Sequence, residues 1–167
     1  MSVVIGIDPG IANTGFGVIE SRPGDGTIRA LDAGVVEASA ELPLGRRLLQ
    51  IHRAVSELLV EHRPDSMALE DIYFGKNVRT AMAVGQGRGV ALLAAEQVGI
   101  ESVGYTPQAI KLSVCGTGGA DKQQVQFMVQ RLLGLEQPPN PDHVADALAV
   151  AICHAAQVRA RAAMVAR

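Results

Sequence analysis

Three apolar runs of this chain end on, or open beside, a carboxylate, and that pattern limits how the chain can fold. Val3-Val4-Ile5-Gly6-Ile7 stops on Asp8-Pro9-Gly10, and Met67-Ala68-Leu69 runs into Glu70. Asn140-Pro141-Asp142-His143 opens a helix whose next turn carries Asp146, ahead of the apolar stretch from Ala147 to Ile152. A carboxylate at the end of a buried element is costly to desolvate, so each of these acids is expected at an edge of the core. Acids brought together without a partner repel, and their convergence implies a bound cation. Oxygen ligands with one imidazole, that of His143, suit Mg²⁺ or Mn²⁺, and such a centre points to phosphodiester chemistry.

The remaining pattern supplies an architecture. Residues 3–8 and 15–20 read as strands joined by a turn through Pro9 and Gly10. Turn-forming residues at 22–26 lead into a third strand, 28–38, completing an antiparallel meander. Leu44, Leu48, Ile51, Val55, Leu58 and Leu59 recur at helical spacing until Arg63-Pro64, where the proline ends the helix. A fourth strand, 66–71, follows that crossover and is expected to run parallel to the first. Residues 79–98 read as a helix despite Gly85, Gly87 and Gly89, and 101–105 as a fifth strand. Thr106-Pro107 is an N-cap with proline at the first helical position, for a short helix to Val114. Gly116-Thr117-Gly118-Gly119 reads as a flexible loop. Asp121 and Gln124 have capping-box spacing for a helix through Leu133, and Asn140-Pro141 is expected to cap a last helix running to about residue 163.

The fold class is therefore α/β, a five-stranded mixed sheet of three antiparallel strands followed by parallel ones, flanked by helices. Asp8 and Glu70 fall at the carboxyl ends of neighbouring parallel strands, where open α/β sheets place their ligand sites. His143 and Asp146 share one face of the last helix, which can turn that face towards Asp8 and Glu70.

With 167 residues, 48% of them hydrophobic and 19% charged, the chain is expected to form one globular domain, 1–167. Its end, about 156–167, reads as a basic tail bearing Arg159, Arg161 and Arg167. A net charge of −2 excludes a basic nucleic-acid coat, so a polyanion would have to be met by a local patch. Cys115 and Cys153 have no metal-binding spacing and read as reduced thiols. The chain opens without a basic signal segment, and no apolar stretch approaches the roughly eighteen residues of a membrane helix. A soluble, cytoplasmic protein with no membrane partner is the expectation.

Each candidate residue has an ordinary reading. Asp8 before Pro-Gly suits a turn. Glu70 and Asp71 alternate across a strand, so one faces inward; Glu70 is the better choice because Asp71 already lies towards the loop. His143 alone suits a helix start, and Asp142 reads as a surface acid complementing the helix dipole. Convergence of separate elements on one edge favours the functional reading. Tyr73 and Phe74 stand out in a chain with three Phe, two Tyr and no Trp, and Lys76 and Arg79 follow them. They are either rings tucked under their own loop or an aromatic wedge that stacks on bases, with the cations on phosphates. Lys111 and Lys122 flank the glycine loop and together make a phosphate-binding rim. Gly85-Gln86-Gly87-Arg88-Gly89 does not match GxGxxG and does not follow a strand directly. Gly85 and Gly89, one turn apart, read as permitting close helix packing, with a dimer two-fold as one use.

These residues resemble the RuvC family of Holliday-junction resolvases. Ile5 to Gly10 with Thr14-Gly15 is similar to the family's opening motif, and Ala68-Leu69-Glu70 with Lys76-Asn77 to its second block. Gly85 to Ala91, Lys111, Asp121 to Val125 and Ala145 to Ala149 match further blocks in order, so the resemblance covers most of the chain from Met1 to His154. It implies a ribonuclease H-like fold and a homodimer that binds four-way DNA junctions. It also implies paired nicking of strands of like polarity with Mg²⁺ or Mn²⁺, and a branch-migration motor, RuvA and RuvB, as partner. The catalytic roles fall on Asp8, Glu70 and Asp146. Tyr73 matches a junction-contacting aromatic, and Lys111 and Lys122 match DNA-contacting lysines. The best-known members carry Asp where this chain has His143, although some have histidine.

Two metals about 4 Å apart can clamp an in-line displacement. Asp8 is then expected as the bridging ligand, with Glu70 on one metal and His143 and Asp146 on the other. His143 as a general acid/base or a water-orienting group is the alternative. An imidazole ligand favours Mn²⁺, and Lys122 would neutralise phosphate charge in the transition state. Three rival readings stand beside this one. An actin- or sugar-kinase-like nucleotide-binding protein would need a second domain, for which the chain has no room. The others are a nuclease of structured RNA and a non-catalytic junction-binding scaffold.

Overall fold

In the computed structural model, which describes residues 1–22, 26–71 and 78–165 (78–80 by backbone alone), the chain opens with an antiparallel meander. Its strands are β1 (Ser2–Asp8), β2 (Asn13–Ser21) and β3 (Ile28–Glu37). Thr14, buried at the start of β2, closes the first turn by donating its hydroxyl to the Gly10 carbonyl at 2.8 Å. Helix α1 (Leu44–His62) buries Ile51, Val55 and Leu59, the one-turn spacing that gives it an apolar stripe. It stops where Arg63, ahead of Pro64, turns left-handed (φ 44°) and donates its N–H to the Leu59 carbonyl.

Strand β4 (Ser66–Glu70) then enters beside β1, in parallel, and β5 (Glu101–Tyr105) pairs parallel with β4. Between them runs α2 (Val78–Gln97). The finished sheet has five strands in the order β3-β2-β1-β4-β5. Helices α3 (Pro107–Cys115), α4 (Lys122–Leu133) and α5 (Asp142–Val165) complete the chain. The Thr106 side chain accepts from the Ala109 N–H at the head of α3, and Asp121 and Gln124 form the reciprocal capping box at the head of α4.

Strand alternation divides the core into two layers. Ile5, Ile7, Val18, Met67 and Leu69 pack on one side with α1 and α2. Val4, Ile19 and Ala68 pack on the other side with α3, α4 and α5. Helix α5 lies across that second face unusually close, because the sheet beneath it is floored with glycine. A Cβ on Gly6 would collide with the Ala147 carbonyl, one on Gly15 with the His143 carbonyl, and one on Gly17 with the Leu148 side chain.

Several details depart from the sequence expectations. Asn140 does not cap α5. The helix begins at Asp142, and it is the Pro141 carbonyl that receives the Val144 N–H at 2.9 Å. The helix also runs to Val165, so the described part of the basic tail, Arg159 and Arg161 included, is helical; Arg167 lies outside the described residues, as do 23–25 of the second turn. The glycine loop is a tight connection whose first residue, Gly116, ends α3 in a left-handed conformation (φ 75°). In α2 the close packing falls to Gly87, set against the Gly10 backbone, while Gly89 faces open space. Contrary to the membrane expectation, α5 is by length and composition apolar enough to span a bilayer. Its run from Val144 to Ala155, apart from half-buried Asp146, is buried in this core, which is what makes it apolar.

Candidate active site

Asp8 ends β1 and Glu70 ends β4, and the parallel register Ile7–Leu69 sets the two acids side by side at the carboxyl edge. The two-residue period that sends Val4 and Ala68 towards α5 sends Asp8 and Glu70 the same way. Asp71, one residue on, turns to the other side and pairs with Arg88 of α2 at 2.9 Å. Glu70 and Asp71 thus stand on opposite faces of the sheet, Glu70 on the side of α5 and Asp71 on the side of α2.

The first turn of α5 brings the third and fourth groups. His143 Nδ1 lies 2.7 Å from Asp8 Oδ2. A neutral ring donating Nδ1–H to that carboxylate leaves Nε2 as the nitrogen free to ligate or to handle a proton. Asp146, one turn on, is half-buried and stands 3.9 Å from Lys122 Nζ. Lys122 also meets Asp142 at 3.4 Å, so Asp142, read from sequence as a dipole-complementing surface acid, takes part in holding that lysine.

Glu70, Asp146, Lys111 and Lys122 line one cleft of about 350 Å³, floored by Pro107, Ile110, Val125 and Ala149. Both lysines of the expected phosphate rim thus face the acids. Tyr73, Phe74 and Lys76 lie outside the described residues, as does the Arg79 side chain.

The electrostatics are those of acids that want a cation. Burial pushes the Glu70 carboxyl up to about 7, with the Asp8 and Asp146 charges adding to the rise and Lys111 and Lys122 opposing it. Burial also raises Asp8, in spite of its hydrogen bond to His143, and it raises Asp146, with the charge of Asp8 adding to the effect. Lys122 is raised chiefly by the Asp146 charge. Among the described residues no three donors stand as a finished coordination shell. Even so, three carboxylate-bearing chain segments and an imidazole at one partly buried edge form a donor set that fits a divalent metal.

The sequence reading missed the glycine floor, although Gly6, Gly15 and Gly17 on alternate strand positions were a visible sign of a close overlying element. It also missed Asp142 as a partner of Lys122, which depends on the fold of α4 against α5.

Residues 4–154 match the family model described as crossover junction endodeoxyribonuclease RuvC. Curated relatives of that name include one from Chloroflexus aggregans, 51% identical over 90% of this chain and 91% of the relative. Another, from Syntrophomonas wolfei, is 48% identical over 90% of this chain and 87% of the relative. Among solved structures, T. thermophilus RuvC in complex with a Holliday junction substrate superposes with a TM-score of 0.91 at 38% identity. That match covers 96% of this chain and 97% of the other.

Proposed function

Because the chain belongs to the RuvC family of crossover junction endodeoxyribonucleases, we propose that it resolves four-way DNA junctions by hydrolysing a phosphodiester at the Asp8–Glu70–His143–Asp146 edge. The function belongs to homologous recombination and DNA repair, where such junctions arise. The observation that carries the site assignment is the meeting of acids from β1, β4 and α5 beside a cleft walled by Lys111 and Lys122. A binding scaffold has no use for such a cluster, and the relatives support neither that reading nor a nucleotide-binding one.

Family members are divalent-metal-dependent nucleases. Asp8, Glu70 and Asp146 would supply oxygens to a divalent metal, and His143 would supply its Nε2. Bound there, a divalent cation neutralises phosphate charge and activates water for attack. The chain's own groups do the rest. Lys111 and Lys122 draw the phosphate into the cleft and offset its growing negative charge. Asp8 orients the His143 ring through Nδ1, so Nε2 either completes the ligand set or takes the proton of the attacking water. Mn²⁺ is inferred to serve better than Mg²⁺, given the imidazole.

Paired nicks of like polarity need two such sites, which a homodimer supplies. Exposed Met82 and Leu93 and the open space at Gly89 on α2 support that helix as the dimer face. Tyr73 and Phe74 as base-stacking residues, Lys76 and Arg79 as phosphate contacts, a RuvA–RuvB motor as partner and a cytoplasmic location complete the reading.

The test is direct. Asp8→Asn and Asp146→Asn should each lower nicking by at least about 100-fold while junction affinity holds or tightens, since an acid that repels phosphate has been removed. Binding and cleavage lost in parallel, in protein that remains folded, would overturn the assignment.

A further inference from the structure

The first turn of α5 carries two of the reacting groups, yet the helix meets the sheet mainly through Ala, Val and Leu. Such contacts bury area without fixing direction. Three turns below the site, the same helix carries His154, which is 5% exposed. Its Nε2 lies 2.8 Å from Ser66 Oγ and its Nδ1 2.8 Å from Tyr105 Oη. The Tyr105 ring packs edge-on against the imidazole, with centroids 5.8 Å apart.

Both partners have the same geographical meaning. Ser66 begins β4 and points to the α5 side, in step with Ala68 and Glu70. Tyr105 ends β5 and is the register partner of Glu70. One imidazole therefore ties the helix that carries His143 and Asp146 to β4, which ends on Glu70, and to its neighbour β5. Asp146 sits eight residues before His154, so the helix acts as an arm about 12 Å long between clamp and site. A small rotation of α5 at the clamp would be carried along that arm to the metal donors.

We propose that His154 is a positioning residue for junction cleavage, a buried two-ended hydrogen-bond clamp that sets the register of α5 on β4 and β5 and so the separation of Asp146 and His143 from Glu70 and Asp8. Ser66 and Tyr105 are the two ends of the clamp. Neither Ser66 nor His154 lines any of the four described cavities. Burial lowers the basicity of the ring, and Glu101 and Arg161 are the charges that face it, with opposing effects. A neutral imidazole is the form that suits two hydroxyl partners, each able to donate or accept.

The inference rests on the acid cluster being the reacting centre, and the experiment separates the two ideas. His154→Leu, Ser66→Ala and Tyr105→Phe are compared with wild type and with Asp8→Asn. Four readouts are needed: thermal stability, junction affinity without metal, nicking rate at saturating Mn²⁺, and the Mn²⁺ concentration giving half the maximal stabilisation against heat. With misplacement of about 1 Å costing up to ~100-fold in rate, His154→Leu should lose about tenfold or more in nicking. It should also raise the half-saturating Mn²⁺ several-fold and leave metal-free junction affinity within about twofold. Ser66→Ala and Tyr105→Phe should each show a smaller part of the same shift, and Tyr105→Phe should add little once His154 is gone. Wild-type nicking and metal midpoints in folded Ser66→Ala and Tyr105→Phe would overturn the clamp, even if His154→Leu fails to fold. So would variants that lose stability alone. Undiminished nicking in Asp8→Asn would instead overturn the site assignment on which the clamp depends.

Discussion

At Glu70 the charge balance of the site becomes a dependence on pH. Its carboxyl is raised from 4.5 to about 7 in the folded protein, so the native state holds that proton more tightly than the unfolded chain. For this group the stability of the metal-free protein is highest below about pH 4.5, falls as pH climbs towards 7, and is then level. On the proposed metal reading, a divalent cation would bind the ionised form and remove the penalty. The rise in melting temperature on adding Mn²⁺ should therefore be larger near pH 8 than near pH 5. A rise that is the same at both would place Glu70 outside the metal site. His143 gives the second prediction at this scale. Its imidazole is a softer donor than a carboxylate, so wild type should nick faster with Mn²⁺, and His143→Asp should shift the preference towards Mg²⁺. Rates measured against concentration of each ion decide it; identical profiles in both proteins would make His143 a proton-handling group. The place of Glu70 at the end of its strand was legible in the sequence, because Asp71 already lies towards the loop. The Asp8–His143 bond was not, because it joins residues 135 positions apart.

At the scale of elements, the cap residues, the breaking proline and the apolar periods mark nearly every helix and strand in the sequence itself, since these signals act within a few residues. The failure at Asn140 is of another kind, for the chain before α5 follows how that helix docks. The docking itself rests on glycines. Gly6→Ala would set a methyl against the Ala147 carbonyl and the Ala151 N–H, backbone atoms that cannot rotate away. It should cost about 3 kcal/mol in urea unfolding. Gly17→Ala meets mainly the flexible end of Leu148 and should cost about half as much. Gly15→Ala presses on the backbone of His143 beside Asp8, so among variants of matched stability it should lose the most nicking. Equal loss in Gly6→Ala and Gly15→Ala would show that the spacing of α5 matters only for folding.

For the whole molecule, the test concerns assembly. Leu93 is 53% exposed on α2, so Leu93→Glu should leave the monomer's stability within about 0.5 kcal/mol. On the dimer reading it should yield monomers in sedimentation and uncoupled single nicks in a supercoiled cruciform, where wild type gives paired ones. A dimer that persists in Leu93→Glu would move the two-fold elsewhere. The sequence by itself determined the order of elements, the mixed sheet and which acids end its apolar runs, because strand period, caps and apolar runs that end on charge are local and survive without partners. It could not show that Lys111 and Lys122 share a cleft with Glu70, that Asp142 holds Lys122, or that Ser66, Tyr105 and His154 meet beneath the site. Those contacts exist only once α3, α4 and α5 pack on one face of the sheet, and the packing depends on shape across the whole chain rather than on any stretch of it.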